Sequence, residues 1–189
     1  DMHCMERLKD GDDLALNDLM RRWKEPLVTF ALRYTGNAAD AREIAQETFV
    51  KVYGARHRYQ PTAAFSTWLF GIASSLCKMR ARWRSRHPEV IEADRRDSAA
   101  ASIGNVASDD DLRAEVDRRA LGNDLSLAIR KLPHDLRVSI ILFEIEGHSY
   151  REIATGQKCS EKAVERRIAK ARERLKSMLE PKWRNHSVL

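Results

Sequence analysis

Lysine and arginine side chains dominate the outward positions of the segment from 160 to 176. Its apolar residues recur at a helical spacing and predict one buried face; they are Val164, Ile168, Ala171 and Leu175. The outward cations are Lys162, Arg166, Arg167, Lys170, Arg172, Arg174 and Lys176, with Glu161, Glu165 and Glu173 among them. Such a face can neutralise DNA phosphates and bond to base edges. An ordinary solvated amphipathic helix has the same pattern, so this segment alone leaves both interpretations open.

A shorter helix is predicted directly before the basic helix. Ser149 and Glu152 form a capping box, in which the serine hydroxyl and the glutamate carboxylate each accept an otherwise unpaired backbone N–H. A short break at 156–159 follows, and Ser160 then caps the basic helix. Two helices joined in this way are typical of a helix-turn-helix, whose second helix lies in the DNA major groove.

Charge along the whole chain agrees with a polyanionic partner without proving one. The chain has 34 Lys and Arg against 28 Asp and Glu, a net charge of +6. Cations concentrate between Lys78 and Arg86, where no acid occurs, whereas 109–111 is a run of aspartates.

Cysteine and histidine patterns give no support to an enzyme or a metalloprotein. The three cysteines (Cys4, Cys77 and Cys159) have neither disulfide nor metal-ligand spacing, which favours a reducing cytoplasm. The histidines form no HExxH motif or catalytic triad, and no glycine-rich phosphate loop occurs. We therefore expect no catalytic site, metal or cofactor. Neither a membrane span nor a signal peptide is expected from the apolar runs.

Helical periodicity recurs over most of the remaining chain. It covers 16–34, where Pro26 predicts a kink or a new helix, then 40–56 and 65–83. The inward positions of the third stripe include Phe65, Leu69, Leu76, Met79 and Trp83. The segment 87–111 is rich in Ala, Ser and Asp and predicts a flexible linker. The pattern resumes at Leu121, Leu125, Ala128 and Leu132. We expect an all-α fold with two small helical domains, 1–86 and 112–189, joined by the linker 87–111.

Three motifs in this order resemble the extracytoplasmic-function (ECF, group 4) sigma factors of the sigma-70 family, the promoter-recognition subunits of bacterial RNA polymerase. They are DAREIAQETFVKVY (40–53), FSTWLFGIASS (65–75), and LPHDLRVSIILFEIEGHSYREIA (132–154) with VERRIAKARERL (164–175). The resemblance implies a region 2 helical bundle that binds core polymerase and melts the −10 element. It also implies a region 4 helix-turn-helix that reads the −35 element.

The family's functional positions map onto particular residues of this chain. The −35 contacts implied by resemblance are Glu165, Arg166, Ala169 and Lys170, flanked by Lys162 and Arg167. The −10 candidates are Tyr59, Phe65, Trp68, Ser75, Lys78, Arg80, Arg82 and Arg84. Aromatic rings there can stack on unpaired bases while cations follow the phosphates. Phe65 and Trp68 also have core spacing, so stacking and core packing both stay open for them.

Binding to core polymerase is expected at Glu43, Gln46, Glu47 and Phe49, similar to the family face that docks on the β′ clamp helices. The surface of Leu136, Ile140 and Ile141 is a partial candidate for the β flap, although most of it is expected to lie in the core. The family's habit also implies an anti-sigma factor that clasps both domains, which could hold this cytoplasmic protein at the membrane.

Several residues depart from the family pattern. Lys158 stands where a turn glycine is common, and Gln157 where a large apolar residue is common. A lysine at positive φ is strained, so a different turn or a shifted register is expected. Ala163 and Ser75 replace a frequent threonine and a frequent asparagine, and Glu165 a frequent cation. A stand-alone helix-turn-helix regulator is the alternative function, although it leaves Gln46 and Glu47 unexplained.

Overall fold

Helices form every regular element in the part of the chain that this computed structural model describes, residues 1–87 and 121–183. The first half contains α1 (Met2–Lys9), α2 (Leu14–Thr35), α3 (Ala38–Gly54), a 3-10 turn (Arg56–Arg58) and α4 (Phe65–Arg86). The second half contains α5 (helical residues 121–131), α6 (His134–Glu144), α7 (Tyr150–Gly156) and α8 (Glu161–Trp183). The predicted all-α class is confirmed. The predicted linker lies outside the described residues except for His87.

The junction between α2 and α3 depends on two adjacent residues. Gly36 ends α2 with a φ of 71°, a left-handed conformation that glycine adopts at little cost. The Asn37 side-chain oxygen then accepts a hydrogen bond from the backbone N–H of Asp40 at 2.9 Å and caps α3. The turn places α3 beside α2, and α4 packs against both helices.

Pro26 lies inside α2, which continues through it without a break. A proline within a helix cannot donate to the carbonyl four residues earlier, at a cost of about 3 kcal/mol. Leu19 before Pro26, and Leu27 and Phe30 after it, are fully buried. Burial on both sides of the proline offsets the missing hydrogen bond, so the helix neither ends nor restarts there.

The core of the first half includes most of the predicted inward residues and one helix that the patterns did not reveal. The residues that α3 buries at helical spacing are Ala41, Ile44, Ala45, Thr48, Phe49 and Val52. The additional helix is α1, which packs on α2 and buries Cys4, Met5 and Leu8. Helix α2 therefore packs against α1 as well as against α3 and α4.

The last turns of α4 differ from the prediction, because Met79 and Trp83 are exposed rather than inward. Arg80 and Arg84 are the residues that face α3, where they meet an acidic side chain. Successive helical residues are rotated by about 100°. Met79 and Trp83, one position before each arginine, are thereby turned towards the outside.

The second half packs around α6 and α8. The residues that these two helices bury together include Val138, Ile141, Val164, Ile168 and Ala171. The expected apolar stripe of α5 is only half correct, since Ala128 and Leu132 are buried whereas Leu121 and Leu125 are exposed. The described part of α5 thus joins the core only near its end.

Contacts also link the two halves. Helix α4 packs against α7, and α2 packs against α6. The buried apolar residues of both halves consequently form one continuous cluster. The two sets of candidate DNA-binding residues therefore lie on neighbouring parts of the structure.

Candidate nucleic-acid interface

The helix-turn-helix forms as the capping pattern predicts. The Ser149 hydroxyl accepts a hydrogen bond from the Glu152 backbone N–H at 3.3 Å, and the Glu152 carboxylate accepts one from the Ser149 N–H at 2.8 Å. These bonds hold the pKa of Glu152 below its usual value. The Ser160 hydroxyl accepts from the Ala163 N–H at 3.2 Å and starts α8. Both helices of the motif therefore begin at side-chain caps.

The exposed side of α8 contains most of the residues predicted for −35 contact. The exposed residues there include Lys162, Glu165, Arg166, Ala169 and Lys170. Their spacing places them on the side opposite Val164, Ile168 and Ala171, which are buried. A cationic face with a small residue at its centre can approach a DNA groove closely.

Arg167 is turned inward, so its expected outward position is wrong. Its guanidinium donates a hydrogen bond to the Gln157 side-chain oxygen at 2.6 Å and lies 3.2 Å from the Cys159 sulfur. A second nitrogen is 3.5 Å from a carboxylate oxygen of Asp135. With 25% of its side chain exposed, Arg167 joins α8 to the turn and to α6. The physical reason is that polar partners on three sides satisfy its donors within the domain.

The turn keeps its register with a lysine in the left-handed position. Lys158 has a φ of 52°, a conformation that costs a non-glycine residue about 1 kcal/mol or more. The preceding Gln157 donates from its side-chain nitrogen to the Ser139 hydroxyl at 3.1 Å. Ser139, which is fully buried, donates in turn to the Asp135 carbonyl at 2.8 Å. Hydrogen bonds thus replace the apolar contact that the family pattern predicts at Gln157.

An aromatic cluster lies at the start of α4. The ring centroids of Tyr59 and Trp68 are 4.8 Å apart, and that of Phe65 lies 5.9 Å from that of Trp68. Phe65 is buried and also contacts Trp23, so core packing accounts for it. Tyr59 and Trp68 are only partly buried and line a cleft. Of the three rings, these two line the cleft.

Two hydroxyl groups in this cleft have no hydrogen-bond partner among the described residues. They are the Tyr59 phenol, whose pKa is raised by burial, and the Thr67 hydroxyl, which belongs to a residue only 3% exposed. A buried hydroxyl without a partner costs about 1–3 kcal/mol. Both residues line the cleft, whose volume is about 610 Å³, but their hydroxyl oxygens are buried. The sequence patterns did not identify Thr67, because its role depends on what surrounds it.

The cations of α4 fall into two groups. Arg80 donates to one carboxylate oxygen of Asp40 at 2.9 Å, and Arg84 donates to the other oxygen. Arg80 also pairs with Glu43. Since Asp40 is only 2% exposed, this cluster fixes α4 against α3, an internal role that the sequence did not predict. Lys78 and Arg82 instead line the cleft, as does Ser75, whose hydroxyl donates to the Gly71 carbonyl at 3.0 Å.

The predicted polymerase-binding face of α3 is exposed except for Phe49. Glu43, Gln46 and Glu47 are exposed, and Glu47 pairs with Lys51 at 3.5 Å. Phe49 is buried in the bundle, so its assignment to an outer face is wrong. Its outward neighbour Val50 is 63% exposed and lies seven positions after Glu43, on the same side of the helix. Helical spacing from Glu43 could have identified Val50.

The residues of α6 that were expected to lie mostly in the core and only partly to serve the β flap are all buried; they are Leu136, Ile140 and Ile141. Helix α6, which contains them, packs against α8 and against α2 of the first half. Among residues 1–87 and 121–183, no group of His, Cys, Asp and Glu is arranged to hold a metal ion. No helix in these same ranges is long and apolar enough to cross a bilayer.

Two family models match the chain: Sigma-70 region 2 over residues 19–87 and Sigma-70, region 4, over residues 123–175. The RNA polymerase sigma-H factor of Pseudomonas aeruginosa is 31% identical over 186 residues, covering 96% of this chain and 94% of that protein. The chain belongs to the sigma-70 family. The ECF RNA polymerase sigma-E factor of Escherichia coli is also 31% identical, over 96% of this chain and 95% of that factor.

Solved sigma-factor structures resemble this sigma factor over most of its length. The structure of CnrH in complex with the cytosolic domain of CnrY has a TM-score of 0.67 and 25% identity, covering 94% of this chain and 96% of that one. The sigma factor RpoE of Bartonella quintana, solved with the anti-sigma factor NepR, has a TM-score of 0.60. It is 24% identical, covers 87% of this chain and 96% of its own, and supports the fold.

The family assignment gives the two halves of the sigma factor their roles. Region 2 contains α2, α3 and α4 with the aromatic cluster, and region 4 contains the helix-turn-helix. As an ECF sigma factor, the chain directs promoter-specific transcription initiation by bacterial RNA polymerase. The predicted family, the two-region architecture and this function are confirmed.

Proposed function

We propose that the exposed side of α8 reads the −35 element as duplex DNA. The observation that supports this most strongly is the exposed row of Lys162, Arg166 and Lys170 on a helix fixed by Ser160. Arginine can bond to a guanine edge in a bidentate manner, and lysine can neutralise a phosphate. Glu165 and Ala169 complete the face. Arg167 acts indirectly, by holding the turn that orients α8.

The −10 element is proposed to be captured as single-stranded DNA in the cleft on α4. Tyr59 and Trp68 offer ring faces for stacking, worth about 1–3 kcal/mol per base. Lys78 and Arg82 lie where they can follow the backbone, and Ser75 lines the same cleft. Phe65, Arg80 and Arg84 support this surface from behind and beside it.

Core polymerase is proposed to dock on the outer side of α3. Glu43, Gln46 and Glu47 supply charged and amide groups around the exposed apolar Val50. An apolar centre with a polar rim is typical of a protein interface. The β′ clamp helices are the proposed partner of this face, and region 4 is proposed to meet the β flap through a surface other than the buried residues of α6.

Control by an anti-sigma factor is the proposed regulation. Support comes from the relatives solved with NepR and with CnrY, of which the second is 25% identical to this chain. We place the protein in the cytoplasm, where polymerase and promoter DNA are found, and assign it no catalytic reaction of its own. The proposed domain bounds remain 1–86 and 112–189, with a linker at 87–111.

Transcription in vitro tests this function against the alternative of a stand-alone regulator. Sigma-free bacterial core polymerase is mixed with the full chain and with DNA from its own genome, and transcript starts are mapped. Promoter-specific starts that require the chain are the expected result. If the chain binds promoter DNA alone and blocks a complete holoenzyme, the regulator hypothesis replaces the sigma function.

The same transcription assay tests the cleft. It compares a Tyr59→Ala and Trp68→Ala double variant with a control, Leu14→Ala, on the exposed surface of α2.

A further inference from the structure

An acid, Glu165, lies in the middle of the cationic face of α8. It is exposed, as are Lys162 about one turn before it and Ala169 one turn after it. The other acid near this end of the helix is Glu161, which lies in the first turn, where the positive end of the helix dipole stabilises a carboxylate. Glu165 is in the second turn, beyond the range of this effect. Its presence on the cationic face therefore needs a different reason.

Contacts within α8 give Glu165 no stabilising partner. Four residues before it is Glu161, and like charges at this spacing destabilise a helix. Four residues after it is Ala169, which carries no charge. Among the residues that the structure describes, the Glu165 carboxylate pairs with neither Lys162 nor Arg166, and the Arg166 guanidinium instead donates to the Lys162 carbonyl at 3.3 Å. Helix stability thus does not account for a glutamate at this position.

Electrostatics near DNA also disfavour this carboxylate unless it reaches a base. The exposed cations Lys162, Arg166 and Lys170 can neutralise phosphates, whereas an acid is repelled by phosphates. A carboxylate accepts hydrogen bonds and donates none, and phosphate oxygens are acceptors as well. Glu165 is therefore favourable at a DNA interface only where it meets a hydrogen-bond donor on a base edge.

The major groove presents two such donors, the N4 amino group of cytosine and the N6 amino group of adenine. Adenine presents its N7 acceptor beside N6, which repels the second oxygen of a carboxylate and suits a side-chain amide. Cytosine presents its amino group with no acceptor of the same base beside it in the groove. A glutamate at a base edge therefore favours cytosine, whereas a glutamine at the same position favours adenine.

The position of Glu165 on α8 suits contact with a base edge. It is the fifth residue of the helix, and the N-terminal residues of a recognition helix are those that contact bases. Ala169 adds only a methyl group to the same face, so the helix can lie close to the floor of the groove. A glutamate side chain, which is shorter than that of arginine, can then reach a base. The buried residues Val164 and Ile168 hold the opposite side of α8 in the domain and set the direction in which Glu165 points.

We propose that Glu165 is a specificity-determining residue, which accepts a hydrogen bond from the N4 amino group of a cytosine in the major groove of the −35 element. The inference rests on the proposed reading of this element by α8. It assigns a C·G pair to the position that faces Glu165. Because the adjacent Arg166 suits the acceptors of guanine, the two residues together favour a G·C-containing segment within the −35 element.

Transcription from a set of promoter templates tests this assignment with the holoenzyme. The promoter is one that the transcription assay has mapped, and each base pair of its upstream element is replaced in turn by the other three. Transcripts are counted by sequencing for the wild type, Glu165→Gln and Glu165→Ala. Glu173→Gln, two helical turns further along α8 and also exposed, is the matched control.

We expect the wild type to favour cytosine at one position by about tenfold, which corresponds to about 1.4 kcal/mol. Glu165→Gln should change the preferred base there to adenine, and Glu165→Ala should remove the preference. Both variants should leave the other positions unchanged, and Glu173→Gln should match the wild type at every position.

Two results would overturn the role of Glu165 alone. One is a wild-type base preference that both Glu165 variants retain at every position, or that they alter equally at all positions, as a purely electrostatic effect would. The other is a wild-type preference for a base other than cytosine at the position that the variants alter. Wild-type initiation that is insensitive to every upstream base pair would instead contradict the −35 function of α8 together with the inference that rests on it.

Discussion

The cationic side chains of this sigma factor fall into two groups, those that are exposed and those that form ion pairs with carboxylates of the protein. Arg166 on α8 is exposed, whereas Arg80 and Arg84 on α4 are held by the buried Asp40. A guanidinium that is paired within the fold must break that pair before it binds phosphate. The exposed cations are therefore the stronger candidates for DNA contact.

Replacing Arg166 should weaken −35 binding more than replacing another exposed arginine of the same helix. Arg166→Ala is expected to cost about 1–3 kcal/mol if the side chain contacts a guanine. Arg174→Ala is the matched control, two helical turns further along α8 at about 12 Å. Titration of promoter duplex by fluorescence anisotropy at several salt concentrations gives both affinities. Equal losses for the two variants would show that only overall charge matters.

Asp40 should be essential for the stability of region 2. Asp40→Asn leaves two arginines without their buried counter-charge, and we expect a loss of about 3 kcal/mol in the free energy of unfolding. Glu43→Gln removes an exposed partner of Arg80 and should cost at most about 1 kcal/mol. Urea denaturation followed by circular dichroism measures both. Similar losses for the two variants would contradict a special role for the buried carboxylate.

At the scale of elements, the capping box determines where α7 begins. Ser149→Ala removes the hydroxyl that accepts from the Glu152 N–H, so we expect about 1 kcal/mol less stability. Ser149→Thr should retain most of it, since threonine also caps helices. Ser177→Ala, at an exposed position within α8, is the control for loss of a serine hydroxyl. Thermal unfolding compares the three, and no difference between the Ser149 and Ser177 variants would contradict the cap's importance.

Elements that depend on local spacing could be predicted from the sequence, and those that depend on distant partners could not. The Ser149 cap and the buried stripe of α3 are set by neighbours within a few positions. The inward turn of Arg167 depends on Asp135, and that of Arg84 on Asp40, both far away in sequence. Phe49 and Val50 are adjacent and both apolar, and helical spacing from Ala45 and from Glu43 already places the first inward and the second outward.

At the scale of the whole molecule, histidines occupy the boundary between the two regions. His134 faces Tyr34, and His148 faces Phe70. Burial lowers the pKa of His134 to about 4 and also lowers that of His148. Burial also raises the pKa of Tyr34 to about 12, and the Tyr34 hydroxyl shares a hydrogen bond with the His134 Nδ1 at 2.9 Å. Packing of the two regions against each other thus favours the uncharged imidazoles of His134 and His148.

Acid should therefore weaken the packed structure through His134. Its ordinary pKa of 6.5 falls to about 4 in the fold, so the unfolded chain binds the extra proton between these values. Stability is complete above about pH 6.5 and is lost as the pH falls towards 4, by about 2 kcal/mol at about pH 5. The charged or titratable groups around His134 are Tyr34, Lys78, Asp135, Arg137 and Arg167.

The difference between wild-type and His134→Gln proteins isolates this effect from other titrations. Urea unfolding of the full chain at several pH values should give a shallower acid slope for His134→Gln, because glutamine binds no proton. His57→Gln, at an exposed position of the 3-10 turn, should retain the wild-type slope. Identical slopes in all three proteins would mean that His134 is already protonated, or is freely accessible, in the folded chain. If burial between the two regions keeps His134 neutral, only the His134→Gln protein should show a flatter dependence of the free energy of unfolding on pH.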